Sequence, residues 1–240
     1  MRDLGRLAYG PAFDLQHRRN QAVIDGEAGP VVFLVEHEPV ITLTRRKTMG
    51  DHLLANDAQL AQAGVATHET DRGGDITYHG PGQIVVYPVI RLGDYQLNLS
   101  RYMRLLEQTV IDSLAVWGIA GQREPGAAGV WVDAPDLAES AKPSQNALSK
   151  IAALGVRIRK NVTMHGLALN VDPDMRHFQL IVPCGLTGRS VVSMRQLLGS
   201  ECPTMSRVKQ VLVNSLHANL IAAATAPAPR TRAGSPAPQG

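Results

Sequence analysis

Strand-like runs in this chain come in consecutive groups instead of alternating one by one with helices. A regular alternation favours a doubly wound parallel sheet, whereas grouped strands predict an α+β domain. We therefore expect a mixed or antiparallel central sheet with helices packed against it. The predicted strands are 31–36, 41–44, 75–79, 83–90, 129–132, 150–159 and 162–171. The predicted helices are 11–25, 57–64, 100–117, 190–198 and 204–222.

The chain of 240 residues is long enough for a single large domain, which we place at 1–221. Two stretches are poor in large apolar residues, unlike the segments around them. Residues 133–149 are rich in Pro, Asp, Ser and Ala, and they predict a long surface insertion. Residues 222–240 consist largely of Ala and Pro, which cannot build a core, so a disordered tail is predicted there.

Composition argues against several classes of protein. No apolar run reaches the roughly 18 residues of a membrane span, and the first residues lack the apolar core of a secretory signal. Two cysteines cannot make a disulfide framework, so a cytoplasmic location is expected. The net charge of +3 is scattered instead of forming a basic stripe, which disfavours a nucleic-acid binder but is compatible with an acidic protein partner.

A glycine-rich segment lies between two predicted strands, from Arg72 to Gln83. Its four glycines let a ligand lie close to bare backbone, with Arg72, Tyr78 and His79 at the edges. A pair of tight turns in a hairpin would explain the same residues, so the segment alone leaves both interpretations open. It matches neither the Walker motif nor the dinucleotide-binding pattern.

Cys184 lies between a proline and a glycine at a predicted turn, where its sulfur could be exposed to a substrate. A cysteine attacks only as the thiolate, so a nearby cation would have to lower its pKa. A buried, inert cysteine is the commoner fate, and from this residue alone it is the favoured interpretation. Cys202 has less in its favour, because the charge of the preceding Glu201 would raise the pKa of its thiol.

Two further residues could carry chemistry. Lys150 begins an apolar strand; it is either a solvated surface charge or, inside a pocket, a base with a lowered pKa. His165 is a ligand, a base or, by default, a hydrogen-bonded core residue. The sequence contains no paired His and Cys at zinc-site spacing and no GxSxG nucleophile motif, so no metal centre is expected.

Four motifs in order resemble those of the lipoyl(octanoyl) transferases: RGGDITYHGPGQIVVYP, KIAALGVR, HGLALNV and PCGLTGRSVVSM. The resemblance runs from about Leu34 to Leu220 and implies the α+β fold of the biotin and lipoate protein ligases. It implies that Cys184 carries the acyl group as a thioester and that Lys150 is its catalytic partner. The implied acyl-binding residues are Arg72, Gly73, Gly74, Asp75, Ile76, Thr77, Tyr78, His79, Ala153, Leu154, Gly155, Gly166, Leu167 and Ala168. The 133–149 insertion departs from the common pattern.

The resemblance also implies a reaction that needs no cofactor. The donor would be octanoyl-acyl carrier protein; the acceptors would be lipoyl domains of 2-oxoacid dehydrogenases and the glycine cleavage H protein. We expect Lys150 to favour the thiolate, backbone amides near Leu154 and Gly155 to stabilise the oxyanion, and His79 to orient Lys150 or line the pocket. A leucine at Gly155 or Ala168 should then shorten the preferred acyl chain. An ATP-dependent lipoate or biotin ligase and a non-catalytic acyl-carrier or lipoyl-domain binding module are the alternatives.

Overall fold

A computed structural model describes residues 1–44, 52–134, 148–182 and 190–226. The chain forms a large and a small sheet with helices packed around them. The strands are β1 (Arg2–Leu7), β2 (Val31–His37), β3 (Val40–Thr44), β4 (Ala66–Thr70), β5 (Thr77–His79), β6 (Gln83–Val89), β7 (Gln122–Glu124), β8 (Ala127–Asp133), β9 (Leu148–Arg159) and β10 (Val162–Asn170). The α-helices are α1 (Tyr9–Asp25), α2 (Asp57–Ala63), α3 (Leu99–Ala115), α4 (Met194–Leu198) and α5 (Met205–Thr225).

The large sheet has seven described strands in the order β1-β2-β6-β10-β9-β8-β7. β1 runs parallel to β2 and the other neighbours are antiparallel, so the sheet is mixed. The prediction of an α+β domain with a mixed sheet is confirmed. In the centre of this sheet Ala168 of β10 lies between Val85 of β6 and Ala153 of β9.

Helices cover both faces of the large sheet. α3 and α5 pack on one face, where Leu106 and Leu212 join Ile84, Val86 and Leu169 in the main core. α1 packs on the other face, where Val23 joins a cluster with Val85, Tyr87 and Ala168. Alternate residues of β6 and β10 therefore serve opposite faces, as the period of two in a strand requires.

The small sheet has the order β4-β3-β5 and packs against α2. Its core contains Leu60 and the fully buried Ile41, Ile76 and Tyr78. This second core supports the 72–79 segment from behind, so that the segment can form a wall of the site described below.

The structure differs from the sequence predictions at several boundaries. β1 was not predicted, because half of its residues are exposed and charged and it carries no strand pattern. α4 is shorter than predicted because Val191 bridges to Lys150 and Ser193 caps the helix, accepting from the backbone N–H of Gln196.

Regular elements extend into the ends of both predicted stretches, the insertion and the tail. The strands around the insertion include Asp133 and Leu148, and residues 135–147 lie outside the described part. α5 continues to Thr225, beyond the predicted start of a disordered tail at 222, because its alanines favour helix and Gln96 donates to the carbonyls of Ala224 and Ala226. Residues 227–240 lie outside the described part. No helix in the described ranges is both long and apolar enough to cross a bilayer.

Candidate active site

A cavity of about 170 Å³ lies on the large sheet, on the face opposite α3 and α5. Its floor is formed by the sheet itself, at Val85, Tyr87, Gly166 and Ala168. The 72–79 segment forms one wall, and exposed residues near Gly126 lie at the opposite side. The cavity therefore combines an apolar floor with an edge open to solvent.

Small residues on β9 and β10 let backbones approach closely here. Gly155 lies opposite Gly166 in the ladder. A Cβ on Gly155 would lie 2.7 Å from the carbonyl oxygen of Gly73, and one on Gly166 would lie 2.2 Å from that of Val86. Gly73 in turn donates its N–H to the carbonyl of Val156 at 2.9 Å. These glycines hold the 72–79 wall and β6 tightly against the central strands.

Most of the predicted acyl-binding residues line this one cavity. They are Arg72, Gly74, Asp75, Thr77, His79, Ala153, Leu154, Gly155, Gly166, Leu167 and Ala168. Gly73, Ile76 and Tyr78 do not line it. Ile76 and Tyr78 face the core of the small sheet, where the Tyr78 hydroxyl lies 2.8 Å from Nδ1 of His177. Strand alternation explains the difference, because neighbours along 76–79 point to opposite sides.

Lys150 also lines the cavity, although its side chain is almost fully buried. Its Nζ donates to the carbonyl of Ala128 at 3.1 Å and lies 4.7 Å from the centroid of the Trp131 ring. Gly129 makes room for this side chain, since a Cβ there would come within 3.1 Å of the lysine Cε. A buried ammonium at a cavity can stabilise an adjacent thiolate or oxyanion.

Of the two cysteines, only Cys202 belongs to the part of the chain that the structure describes. Cys184 lies in 183–189, outside the described residues. Cys202 is described, does not line the cavity, and has its Sγ 3.9 Å from the carbonyl oxygen of Val171. Burial raises the pKa of the Cys202 thiol, and the charge of Asp172 adds to this against the opposing charge of Arg195. A thiol with a raised pKa is a poor nucleophile.

Two tyrosines that the sequence did not place at the cavity line it, and one of them contacts His37. They are Tyr9 of α1 and Tyr87 of β6, and the Tyr87 hydroxyl lies 2.7 Å from Nε2 of His37. Nδ1 of His37 lies 2.9 Å from the carbonyl of Leu7 and must therefore donate to it. Burial lowers the pKa of His37 to about 4, so its ring is neutral and its Nε2 accepts a hydrogen bond from the Tyr87 hydroxyl.

His165 also lines the cavity, in a left-handed backbone conformation with φ of 58°. Its Nε2 lies 2.8 Å from Asp71 Oδ1, and burial lowers the pKa of its ring despite that hydrogen bond. The pKa of Asp71 is itself lowered, because the bond to His165 and the charges of Arg157 and His17 outweigh its partial burial. A non-glycine residue with positive φ inside a strand is rare and costs energy, which is typical of functional sites.

Asp71 had no visible signal in the sequence beyond its position next to Arg72. Tyr9 and Tyr87 lie in an apparently ordinary helix and strand, so only the tertiary contact between α1 and the sheet identifies them. Among the described residues, no group of three or more His, Cys, Asp or Glu side chains is arranged to hold a metal ion.

Comparison with known proteins gives a consistent result. The lipoyl protein ligase A/B catalytic domain family matches residues 8–217. The octanoyltransferase of Chloroflexus aurantiacus (strain ATCC 29366 / DSM 635 / J-10-fl) is 44% identical over 211 residues, covering 88% of each chain. That of Chloroflexus aggregans is 42% identical over 214 residues, covering 89% of this chain and 90% of the relative.

Solved structures share the fold at low sequence identity. A bi-partite lipoate protein ligase from Thermoplasma acidophilum superposes with a TM-score of 0.69 at 14% identity, covering 92% of this chain and 83% of that one. The P. falciparum protein LipL1 in complex with lipoate gives 0.67 at 12% identity, covering 91% of this chain and 61% of that one.

Proposed function

This chain belongs to the family of lipoyl protein ligase A/B catalytic domains, and we propose that it is an octanoyltransferase that works through a thioester on Cys184. The donor in this proposal is octanoyl-acyl carrier protein, and the acceptor is a lysine of a lipoyl domain. The observation that carries it is the juxtaposition of the cavity's small-residue floor with the buried ammonium of Lys150. Relatives named octanoyltransferase that are 42–44% identical support the same reaction.

An eight-carbon acyl chain suits the cavity's floor. Val85, Ala153 and Ala168 offer apolar surface, while the Tyr87 hydroxyl donates its hydrogen bond to His37. Burying seven methylene or methyl groups at about 0.8 kcal/mol each contributes roughly 5–6 kcal/mol gross to binding. In this proposal burial of the alkyl chain, and not polar contact, supplies most of the binding free energy of the acyl group.

The chemistry divides into a thioester exchange and an aminolysis of the acyl-enzyme. The Cys184 thiolate attacks the octanoyl carbonyl, and the pantetheine thiolate leaves, taking a proton from the Lys150 ammonium. The neutral Lys150 amine then accepts a proton from the incoming lysine ammonium, whose nitrogen attacks the acyl-enzyme and forms the amide. The second N–H proton of the attacking amine passes to solvent as the tetrahedral intermediate collapses. The Cys184 thiolate is then released and the Lys150 ammonium is restored. Positioned proton transfer of this kind is worth on the order of 10²–10⁴ in rate.

The specific acceptors, the lipoyl domains of 2-oxoacid dehydrogenases and the glycine cleavage H protein, remain predictions, as does a cytoplasmic location. The oxyanion contacts at Leu154 and Gly155 also remain a prediction. The fold alone does not separate transfer from an ATP-dependent ligase, since structures of lipoate ligases share it.

An acceptor-modification assay distinguishes these reactions. The protein is mixed with apo lipoyl domain and either octanoyl-acyl carrier protein without ATP, or free octanoate with ATP and Mg²⁺, and the mass of the lipoyl domain is followed. We expect modification only in the first mixture. Modification only in the second would establish a ligase. Binding of the carrier protein without modification in either mixture would establish a non-catalytic module.

A further inference from the structure

A chain of buried amides leads from His79 in the cavity wall to the strand that carries Lys150. Nδ1 of His79 lies 2.6 Å from Oε1 of Gln83, and Nε2 of Gln83 lies 2.9 Å from Oδ1 of Asn170. Nδ2 of Asn170 lies 3.1 Å from the carbonyl oxygen of Val192. The N–H of Val192 donates to the carbonyl of Lys150 at 3.0 Å.

The carbonyl of Val192, at one end of this series, sets the directions of the hydrogen bonds. The Val192 carbonyl can only accept, so the Asn170 amide nitrogen donates to it and Oδ1 is left to accept. Gln83 must then donate to Asn170 with its nitrogen, which also donates to the carbonyl of Tyr78 at 3.2 Å. Its Oε1 therefore accepts, and Nδ1 of His79 must carry the proton.

The tautomer of His79 is fixed as a result. Burial, with the neighbouring His37, lowers the pKa of the His79 ring to about 3, so the ring carries a single proton, on Nδ1. Nε2 is left with its lone pair and has no hydrogen-bond partner among the described residues, while the ring lines the cavity. The groups that surround the ring are Tyr9, which stacks at 6.1 Å, and His37 at 5.7 Å, with the charges of Arg72 and His165 nearby.

We infer that Gln83 and Asn170 are positioning residues that hold the lone pair of His79 Nε2 toward the cavity, where it accepts a hydrogen bond from the nitrogen of the acceptor lysine. The inference rests on the proposed octanoyl transfer. The alkyl chain has no hydrogen-bond donor, whereas the incoming amine has several. The buried amides connect His79 to the backbone of Lys150, and both side chains line the same cavity.

His79 orients the amine of the acceptor lysine and does not act as the base. A ring with a pKa near 3 cannot take a proton from an alkylammonium, so the proton passes to Lys150 and the hydrogen bond to Nε2 only aims the nitrogen lone pair at the thioester. The role therefore belongs to the second half-reaction. Formation of the acyl-enzyme requires no amine and should not depend on it.

The tautomer is tested directly by long-range ¹H–¹⁵N correlation NMR of the histidine rings, assigned with His79→Phe. We expect the parent protein to show a protonated Nδ1 and a non-protonated Nε2 at His79 near pH 7. The same spectrum of Gln83→Met, of similar volume, should show a mixture of tautomers. A parent protein with the proton on Nε2 would overturn the inference, whatever the variants do.

The two half-reactions give the functional test. Acyl-enzyme formation from octanoyl-acyl carrier protein and its discharge by apo lipoyl domain are timed separately. Gln83→Met should slow discharge about tenfold, as the loss of the single hydrogen bond from the acceptor amine to His79 Nε2 predicts, and leave acylation within about twofold. Asn20→Leu is the matched control, because it also removes a buried amide with two hydrogen bonds to backbone carbonyls but does not line the cavity. It should change neither step.

Gln83→Glu provides a rescue. One carboxylate oxygen still accepts from Nδ1 and so keeps the tautomer, although the hydrogen bonds that the amide nitrogen donates to Tyr78 and Asn170 are lost. The negative charge raises the pKa of His79. Discharge should recover above the new pKa and fall below it, where Nε2 is protonated, so the acidic limb of the pH profile moves upward. Slower acylation with normal discharge in Gln83→Met would contradict the inference. Absence of any acyl-enzyme in the parent protein would instead refute the proposed thioester transfer.

Discussion

Burial keeps the ring of His37, beside the cavity, uncharged, and this makes the free energy of unfolding depend on pH. His37 is fully buried between the Leu7 carbonyl and the Tyr87 hydroxyl, and its pKa falls to about 4 from an ordinary value of 6.5. The unfolded chain therefore binds a proton at His37 that the folded chain excludes throughout this interval. The contribution of His37 to the free energy of unfolding is fully present above pH 6.5 and is lost as the pH falls toward 4.

His37→Asn, which can still donate to Leu7, should flatten this dependence. We expect the free energy of unfolding of the variant to lose about 2–3 kcal/mol less than that of the parent between pH 6.5 and pH 4. Urea unfolding at a series of pH values measures it. The exposed His217→Asn is the control and should follow the parent, whereas parallel profiles for His37→Asn and the parent would contradict the assignment.

Chain-length selection is also a matter of one residue. Ala168→Leu adds three carbons to the floor and should displace the end of the acyl chain, lowering the ratio of octanoyl to hexanoyl transfer by about tenfold or more. Leu169→Met, on the opposite face of β10, should leave the ratio unchanged. Equal ratios in Ala168→Leu and the parent would show that the chain lies elsewhere. Gly155 is unsuited to this test, because any side chain there strikes the backbone of Gly73.

At the scale of elements, the contact between β10 and β6 depends on Gly166. A Cβ there would lie 2.2 Å from the carbonyl oxygen of Val86 and 2.8 Å from Pro88 Cδ, so Gly166→Ala must push two central strands apart. We expect a loss of about 1–3 kcal/mol in the free energy of unfolding. Gly29→Ala meets no atom within 4 Å and is the control, expected within about 0.5 kcal/mol of the parent. Equal stability of the two variants would show that the strands can yield freely.

Elements whose apolar residues recur at a regular period could be predicted from the sequence. Elements that form only by pairing with another strand could not. α3 shows its face at Tyr102, Leu106 and Val110, and it lies within two residues of its predicted bounds. β1 has no such period and exists because its backbone pairs with β2. The glycine-rich segment left turns and binding equally open; its contact with Val156, which holds it against the cavity, joins residues 83 positions apart (156 − 73).

At the scale of the whole molecule, the sequence motifs converge because the sheet places distant strands side by side. The 72–79 segment, β9 and β10 meet at one cavity, and Lys150 reaches it from β9. Tyr9 and His37 could not be predicted there, since they enter through the packing of α1 and the parallel pairing of β1 with β2.

The charge of Lys150 should matter to the whole reaction and little to the fold. Lys150→Met removes the ammonium and fills a similar volume, so we expect overall transfer to fall by about 10²-fold or more. Lys209→Met, another largely buried lysine, which is paired with Asp3 and Glu36 away from the cavity, is the control. Transfer rates and thermal unfolding are measured on both variants. Normal transfer in Lys150→Met would remove the lysine from the mechanism.

The covalent intermediate itself is tested most directly by intact mass spectrometry after mixing the protein with octanoyl-acyl carrier protein. We predict one octanoyl adduct on the parent and on Cys202→Ser, none on Cys184→Ser, and loss of the adduct when apo lipoyl domain is added. An adduct that persists in Cys184→Ser, or sustained transfer by that variant at the parent rate, would contradict a thioester on Cys184.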